Sequence, residues 1–283
     1  MRLASGFLLA LLAAVLLVGL WADRRFQRAT DDAVRALLSA APAPGHAVTD
    51  ADLAPLPPPV RRWLEASGVV GRPIPSSVRL RQRGLLRTAP DQAWMPARAE
   101  QYFRTDEPGF VWRVRVRMFG VLPVAGRDAY RDGKGRMLIA AASLVPVVDA
   151  ADEKIDHGTL LRYLGEMVWF PAAALRPYVR WEPIDDRSAR AAMRYGGVEG
   201  SAVFTFDDEG RFVALDAERY LGGGAEAKRE HWAVQATAWE TRDGVLVPVR
   251  GDALWHLRDG DFSYYRWEIT TLEYDRPALF GAR

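Results

Sequence analysis

The first twenty or so residues constrain this chain most, because no residue between Leu3 and Ala22 is charged. A helix rises about 1.5 Å per residue, so this run is about 30 Å long and matches the hydrocarbon thickness of a bilayer. Trp21 stands where signal-peptide cleavage would need a small residue, and tryptophan is typical of the membrane interface. We therefore predict a single-pass transmembrane signal-anchor over residues 1–22.

The composition indicates a globular body that is stabilised by its core. The chain has 283 residues, 49% of them apolar, and contains no cysteine, which excludes disulfides, thiolate metal ligands and cysteine lipidation. Its net charge is +2, with 38 basic residues against 36 acidic ones. Because these charges are spread along the chain rather than gathered in a stripe, we expect no nucleic-acid partner.

Proline divides the sequence that follows the apolar run. Residues 23–40 are charged, with apolar positions at helical spacing, and predict a short helix. Residues 41–58 are rich in proline, which opposes regular structure and favours a semi-stiff linker. We predict that residues 59–283 form one β domain, which begins with a brief helix from Pro59 to Ala66.

Beyond Val78 the apolar pattern changes to the period of two that is typical of strands. Such runs extend from Phe110 to Met118 and from Tyr264 to Tyr274, and the hairpin signals Asp243-Gly244 and Asp259-Gly260 separate apolar stretches. The spacing of these signals predicts a mainly β fold, a curved antiparallel sheet of roughly ten strands. This half-barrel would be closed by one or two helices.

One amphipathic segment, Ile155 to Val168, is the predicted lid of the sheet. Its polar face would carry Arg162 and Glu166, a pair four residues apart that is worth only a few tenths of a kcal/mol on a helix surface. Tyr163 and Trp169 flank Glu166 at a spacing of three, a mixture that suits either a ligand cleft or the margin of a core. The apolar stripe that would face the strands consists of Leu160, Leu164, Met167 and Val168.

Known catalytic motifs are missing from the sequence. It contains no phosphate-binding loop, no nucleophile elbow of a serine hydrolase and no dinucleotide-binding glycine motif. The histidines are scattered, at spacings unlike those of metal sites, so we expect neither a metal nor another cofactor. They are His46, His157, His231 and His256.

Two strands carry arginine at three alternate positions, so each projects its arginines from one face. One interpretation is the solvated outer face of the sheet. The other is a cationic wall for an anionic head group, if that face lies inside the curve. The arginines are Arg79, Arg81 and Arg83 in one strand and Arg113, Arg115 and Arg117 in the other.

Between Leu161 and Pro171 the chain reads Leu-Arg-Tyr-Leu-x-Glu-x-Val-Trp-Phe-Pro, and Trp94-Met95-Pro96 precedes it. These sequence motifs resemble those of a bacterial family known only as a domain of unknown function. The last third, with Asp243 to Pro248 and Leu254-Trp255, is similar to the closing strands of Lol-type lipoprotein carriers. That resemblance implies a half-barrel that holds acyl chains between its sheet and its helices.

Three functions remain open on the sequence alone. The first is a membrane-tethered, extracytoplasmic domain that binds a lipid or other apolar ligand in a cleft between sheet and lid. The second is an envelope assembly or scaffold protein that binds other envelope proteins and no small ligand. The third is a hydrolase in which Glu166 acts with Asp156 or Asp185.

We predict the first of these functions, at the bacterial inner membrane, because it accounts for the apolar run, the aromatic richness and the missing catalytic motifs together. The predicted binding residues are Gln101, Trp112, Met137, Arg162, Tyr163, Glu166, Trp169 and Trp181.

Overall fold

The computed structural model describes residues 2–281, without the side chains of residues 2–10, 12 and 15. Its helices are α1 (Arg2–Leu38), α2 (Asp50–Leu53), α3 (Pro58–Ser67) and α4 (Glu153–Glu166), followed by 3-10 turns at Met167–Trp169 and Pro171–Leu175. Its strands are β1 (Ser77–Leu86), β2 (Met95–Arg104), β3 (Gly109–Met118), β4 (Leu122–Arg131), β5 (Lys134–Ala141), β6 (Val145–Ala150), β7 (Val179–Pro183), β8 (Ser188–Tyr195), β9 (Val198–Phe206), β10 (Phe212–Tyr220), β11 (Arg229–Arg242), β12 (Val245–Leu257) and β13 (Gly260–Tyr274).

The described strands form one antiparallel sheet in the order β6-β5-β4-β3-β2-β1-β13-β12-β11-β10-β9-β8-β7. Two meanders, β1–β6 and β7–β13, are joined where β1 pairs with β13. The predicted curved antiparallel sheet with closing helices is confirmed, but the expected ten strands are 13. The marginal strands β6 and β7 are six and five residues long and contain Pro146 and Pro183, which weaken the sequence signal but are tolerated at a sheet edge.

The predicted hairpin at Asp243-Gly244 is confirmed and joins β11 to β12. Asp243 has φ 48° and Gly244 has φ 81°, and positive values at both central residues match the right-handed twist of the strands that they connect. The turns Asp132-Gly133 and Gly196-Gly197 have the same signs of φ and close the hairpins β4–β5 and β8–β9.

The sheet curls until two of these turns touch. A Cβ atom on Gly133 would lie 2.7 Å from the Cα atom of Gly196, which belongs to the opposite meander. Any side chain at either position would therefore force the turns apart. The contact closes one end of the half-barrel and needs glycine on both sides.

Helix α4 lies inside this curve and packs on strands of both meanders. Asp152 begins it by accepting hydrogen bonds from the backbone N–H groups of Lys154 and Ile155. Leu160 and Leu164 of the predicted stripe are inaccessible to solvent. The lid is therefore a helix, as predicted, but its expected polar face is also enclosed by strands.

Helix α1 lies on the convex side of the sheet, across β2 and β3. Val34 and Leu37 are buried against Tyr102 and Val111, and Phe26 packs on Ala125. The short helix predicted for residues 23–40 is thus the C-terminal part of a longer, continuous helix.

The N-terminal part of α1 carries exposed apolar side chains at the positions between residues 11 and 21 whose side chains the structure describes. Among the described residues, no helix is both long enough and apolar enough to cross a bilayer. The anchor predicted over residues 1–22 rests mainly on side chains 1–10, 12 and 15, which lie outside the described part. The exposed side chains are Leu11, Leu16, Leu17, Val18, Leu20 and Trp21.

The proline-rich segment 41–58 lies against the β domain. Ala47 forms a β-bridge with Pro73, and α2 follows at Asp50–Leu53. Val48 and Leu53 are each 1% exposed and belong to the main core. The packed core therefore includes residues that precede the predicted domain start at residue 59.

Candidate functional site

Charged and amide side chains meet between α4 and the strands, in what we call the interior network. Gln101 on β2 donates from Nε2 to Oε2 of Glu166 (2.6 Å), and Arg162 donates from Nε to Oε1 of Glu166 (2.8 Å). The Nη1 atom of Arg162 donates to Asp128 on β4 (2.5 Å), and the guanidinium lies 4.6 Å from the ring centre of Trp112 on β3. Four predicted binding residues, Gln101, Trp112, Arg162 and Glu166, thus come together.

A second cation balances the charge of the interior network. Arg219 on β10 donates from Nε to the carbonyl oxygen of Gly158 on α4 (3.0 Å). Burial raises the pKa of Asp128 and of Glu166, although Arg162 opposes both shifts. Burial alone would lower the pKa of Arg162, but Glu166 and Asp128 reverse that shift and raise it. Arg162 thus pairs with both carboxylates, and Arg219 bonds to the backbone of α4, so both cations help to hold the helix inside the sheet.

Amide groups extend the interior network across the sheet. Trp112 donates from Nε1 to Oε1 of Gln82 (3.1 Å), and the hydroxyl of Tyr265 donates to the same oxygen (3.0 Å). Among the described residues, Oε1 of Gln101 is buried without a hydrogen-bond partner. The network thus retains one free acceptor in its interior.

Two predicted residues border this network or lie behind it. Met137 on β5 lies opposite Asp128 in the strand register and is half-buried. Tyr163 is fully buried on another side of α4, where its hydroxyl contacts the carbonyl oxygen of Arg104 (3.1 Å) and the hydroxyl of Tyr178 (3.0 Å). The structure places Tyr163 in the aromatic core.

Two further predicted residues, Trp169 and Trp181, are anchored to backbone carbonyl groups. Trp169 donates from Nε1 to the carbonyl oxygen of Pro248 (3.2 Å) and meets Trp267 edge-on at 5.5 Å. Trp181 on β7 lies near the far margin of the sheet and packs on Trp63 of α3 at 6.1 Å. The structure does not bring these two residues to the interior network.

Four residues of the network were not predicted, namely Gln82, Asp128, Arg219 and Tyr265. Each stands on a strand at a position whose side chain faces the concave side. Gln82 follows the buried Leu80 by two residues, and Arg219 follows the buried Ala217 by two. A polar residue in the buried phase of a strand was the available sequence signal.

The carboxylates of the hydrolase alternative lie apart. Asp156 accepts from the backbone N–H of Gly135 (2.7 Å) and pairs with Lys134 (2.8 Å). It lies ten positions before Glu166 on α4, a distance of about 15 Å along the helix. Asp185 lies in an exposed turn. The structure therefore assembles no pair of Glu166 with either aspartate.

A row of three arginines crosses the convex face, one on each of β1, β2 and β3. Arg83 lies opposite Arg98, and Arg98 lies opposite Arg115. The outer members pair with carboxylates, Arg83 with Glu268 at 2.8 Å and Arg115 with Asp23 of α1 at 2.9 Å. Like charges directly across a strand pair repel each other. The exposed central residue, Arg98, is therefore well placed to bind an added anion.

A cleft of about 880 Å³ opens beside this row, between α1, the loop before β2 and the β3–β4 turn. Its volume is in the range of small-molecule sites. Arg98, Arg115 and Arg117 supply its cationic side. Of the two predicted arginine sets, only Arg115 and Arg117 line the cleft. They lie on the convex face, so the interpretation as an outer face applies rather than that of a wall inside the curve. The other residues that line the cleft are mostly apolar and include Trp94, Met95, Pro96, Met118, Phe119, Pro123, Val124 and Ala125.

The sequence profile of a family described as "Family of unknown function (DUF6544)" matches residues 46–267. The chain belongs to this family. The resemblance predicted from the run Leu161–Pro171 is thereby confirmed. The interior network and the arginine row lie inside the DUF6544 region, whereas α1, with Asp23 at the edge of the cleft, precedes it. No curated protein matches the chain in sequence.

Solved structures similar to this DUF6544 protein include a LolA-superfamily protein from Nitrosomonas europaea. The two are 11% identical, with a TM-score of 0.41, over 76% of this chain and 93% of the other. A DUF1329 family protein from Desulfovibrio piger is 9% identical, with a TM-score of 0.37, over 81% of this chain and 93% of the other. Neither likeness is close enough to bear on function.

His157 on α4 allows a pH test of the packing around the helix. Its ring stands edge-on to Tyr220 at 5.5 Å, and burial, with help from Arg229 and Arg219, lowers its pKa to about 4. Because the unfolded state takes up the proton first, stability that is present at pH 7 is lost as the pH falls through 6.5 towards 4.

We expect the variant His157→Phe, which keeps a ring at this position but cannot titrate, to lose less stability than the wild type in that interval. The difference should be about 1–2 kcal/mol, because part of the imidazole remains in contact with solvent. Urea unfolding at pH 7 and at pH 4.5 measures both losses. Equal losses in the two proteins would show that His157 is not held neutral by the fold.

Proposed function

We propose that this chain binds an amphiphile, a molecule with an apolar chain and an anionic head group, in the cleft beside Arg98. The observation that carries the proposal is the position of an apolar cleft of about 880 Å³ next to a row of three arginines. Each methylene buried in such a cleft contributes about 0.8 kcal/mol. A charge-assisted hydrogen bond from Arg98 adds about 1.5–3 kcal/mol.

Exposed apolar side chains next to the cleft support contact with a membrane surface. Phe119 and Val121 in the β3–β4 turn are 83% and 81% exposed, and Leu144 in the neighbouring β5–β6 turn is 46% exposed. Apolar patches of this kind mark sites of contact with proteins or membranes. In this proposal the domain works outside the bacterial cytoplasm, at the inner membrane, with α1 as its tether.

The interior network has a different role in this proposal. The space in which a cleft between sheet and lid was predicted is filled by Arg162, Glu166 and their partners on the strands. These side chains fix α4 inside the sheet and so support the strands that carry the arginine row. The ligand binds on the opposite, convex side.

Native mass spectrometry of the full-length chain, purified in a mild detergent, tests the proposal. We expect an amphiphile with an anionic head group to remain bound to the wild type. The variant Arg98→Gln should retain about tenfold less, because a charged hydrogen bond is lost. The variant Pro123→Glu, which places a carboxylate opposite Arg117 on the cationic side of the cleft, should also retain less. The matched control is Arg258→Gln, an exposed arginine in the β12–β13 turn, which should retain as much as the wild type.

Two outcomes would overturn the proposal. A wild type that stays ligand-free after incubation with mixed lipid micelles would favour the envelope scaffold without a small ligand. Equal retention by the wild type, Arg98→Gln and Pro123→Glu would place the ligand outside this cleft.

A further inference from the structure

Four polar side chains form a line across the convex face of β10 to β13, apart from the cleft. His231 on β11 lies directly opposite His256 on β12, and His256 lies opposite Asp261 on β13. Asp216 on β10 lies opposite Ala233, which is two residues from His231 and therefore shares its face. The sheet thus gathers two imidazoles and two carboxylates from four neighbouring strands.

The side-chain atoms of this line are close enough to share one cation. Oδ1 of Asp216 is 2.8 Å from Nε2 of His231, and the rings of His231 and His256 are 4.6 Å apart between their centres. One ligand atom from each of these three residues lies within 4.8 Å of the other two. A zinc ion with bonds of about 2.0–2.1 Å holds tetrahedral ligand atoms roughly 3.3 Å apart. Side-chain rotation alone can close that difference.

Asp261 supplies the outer support that metal-binding histidines commonly have. Its Oδ1 atom is 2.6 Å from Nδ1 of His256. In the tautomer in which Nδ1–H is donated to this carboxylate, Nε2 of His256 carries the lone pair that a metal needs. A carboxylate behind a ligand imidazole fixes the tautomer and the ring orientation and raises the basicity of the ligand.

We propose that Asp216, His231 and His256 bind one divalent transition-metal ion, with Asp261 orienting His256. Two imidazoles and one carboxylate suit zinc, and the three residues stand on adjacent strands of a paired sheet, which holds their backbones in place. The side chains are partly exposed, so water completes the coordination of the ion. This site is independent of the amphiphile proposal, since none of its residues lines the cleft.

The same contacts would occur without a metal as two exposed histidine–aspartate pairs. Exposed pairs of this kind contribute little to stability. The strand register places the two imidazoles side by side, since residues directly opposite on paired strands have their Cβ atoms about 4.5–5.5 Å apart. The proposal therefore rests on the convergence of both rings with the carboxylate of Asp216.

Zinc titration of the full-length chain, without a polyhistidine tag and stripped with a chelator, tests the site. With a competing chromophoric chelator we expect one zinc ion per chain, and a rise in melting temperature on zinc addition. His231→Gln and His256→Gln should each weaken binding at least tenfold. Asp261→Asn, which removes no ligand, should weaken it about 10–100-fold. The matched control His46→Gln changes an exposed histidine elsewhere and should bind zinc as the wild type does.

Circular dichroism of each variant without zinc confirms that it is folded, so a loss of binding can be assigned to the site. A wild type that binds no zinc would overturn the proposal and leave two histidine–aspartate pairs. Zinc binding that is unchanged in both His231→Gln and His256→Gln would show only adventitious ions and would overturn it equally.

Discussion

Replacing Arg162 by methionine should lower the free energy of unfolding by about 3–5 kcal/mol. The substitution leaves Glu166 and Asp128 enclosed without their shared cation, and an uncompensated buried charge is strongly destabilising. Methionine keeps an unbranched stem against Trp112, so little packing is lost with the charge. Guanidinium unfolding at pH 7, followed by tryptophan fluorescence, measures the change.

Two controls separate charge from packing in this experiment. Arg190→Met, at an exposed position on β8, should change stability by no more than about 0.5 kcal/mol. A double variant that combines Arg162→Met with Glu166→Gln should recover a large part of the loss, because one cation, Arg219, then remains for one carboxylate, Asp128. If the double variant is as unstable as the single one, packing rather than charge accounts for the effect.

The second large effect is expected for Trp169→Ala, which should also cost about 3–5 kcal/mol of unfolding free energy. The ring of Trp169 is 5% exposed, meets Trp267 edge-on and donates to the carbonyl oxygen of Pro248. Since Trp169 does not line the cleft, retention of the amphiphile at a temperature where the variant is folded should be unchanged.

Trp94→Ala is the matched comparison, because Trp94 is half-buried and lines the cleft. We expect Trp94→Ala to lose less stability than Trp169→Ala does. We also expect it to retain less amphiphile than Trp169→Ala does. A cost below about 1 kcal/mol for Trp169→Ala would contradict the placement of this ring in the core. Loss of ligand in Trp169→Ala alone would instead favour the cleft that was predicted between sheet and lid.

Strand periodicity and turn chemistry predicted the class of the fold because both are local properties. The alternation of apolar and charged residues from Phe110 to Met118 indicates a strand independently of its neighbours in the fold. In the same way, Asp243-Gly244 predicts a hairpin with a two-residue turn. The short marginal strands β6 and β7 give a weaker local signal, since their prolines and few residues leave little pattern.

The burial of the polar face of α4 could not be predicted from the helix itself. Its sequence reads as a helix with one solvated side, where Arg162 and Glu166 would form a surface pair. The sheet curls so far that strands of both meanders enclose the helix, and that curvature depends on contacts such as Gly133 with Gly196. Long-range closure of the sheet thus turns a surface pair into an enclosed one.

The pairing of the two histidines could have been predicted from the sequence. His231 precedes Asp243 by 12 residues, and His256 follows Gly244 by 12 residues. A two-residue turn at Asp243-Gly244 therefore brings them opposite each other, which is their position in the register of β11 and β12. Spacing along the chain, the criterion used for metal sites, does not reveal ligands that a hairpin brings together. The cleft offered no such signal, since α1, the loop before β2 and the β3–β4 turn combine only in three dimensions.

The seam between β1 and β13 determines when the fold can be completed. Val78 lies opposite Tyr274, so the first strand of the sheet pairs on one side with the last. Because synthesis proceeds from the N-terminus, strands β1 to β6 can form early. One edge of β1 nevertheless keeps its hydrogen-bonding groups unpaired until β13 has been made. An open strand edge is a template for pairing with another chain, and such late, long-range closure is slow. A chain stopped before Gly260 would present the bare edges of β1 and β12 to its neighbours, so protection from aggregation comes only with the final strand.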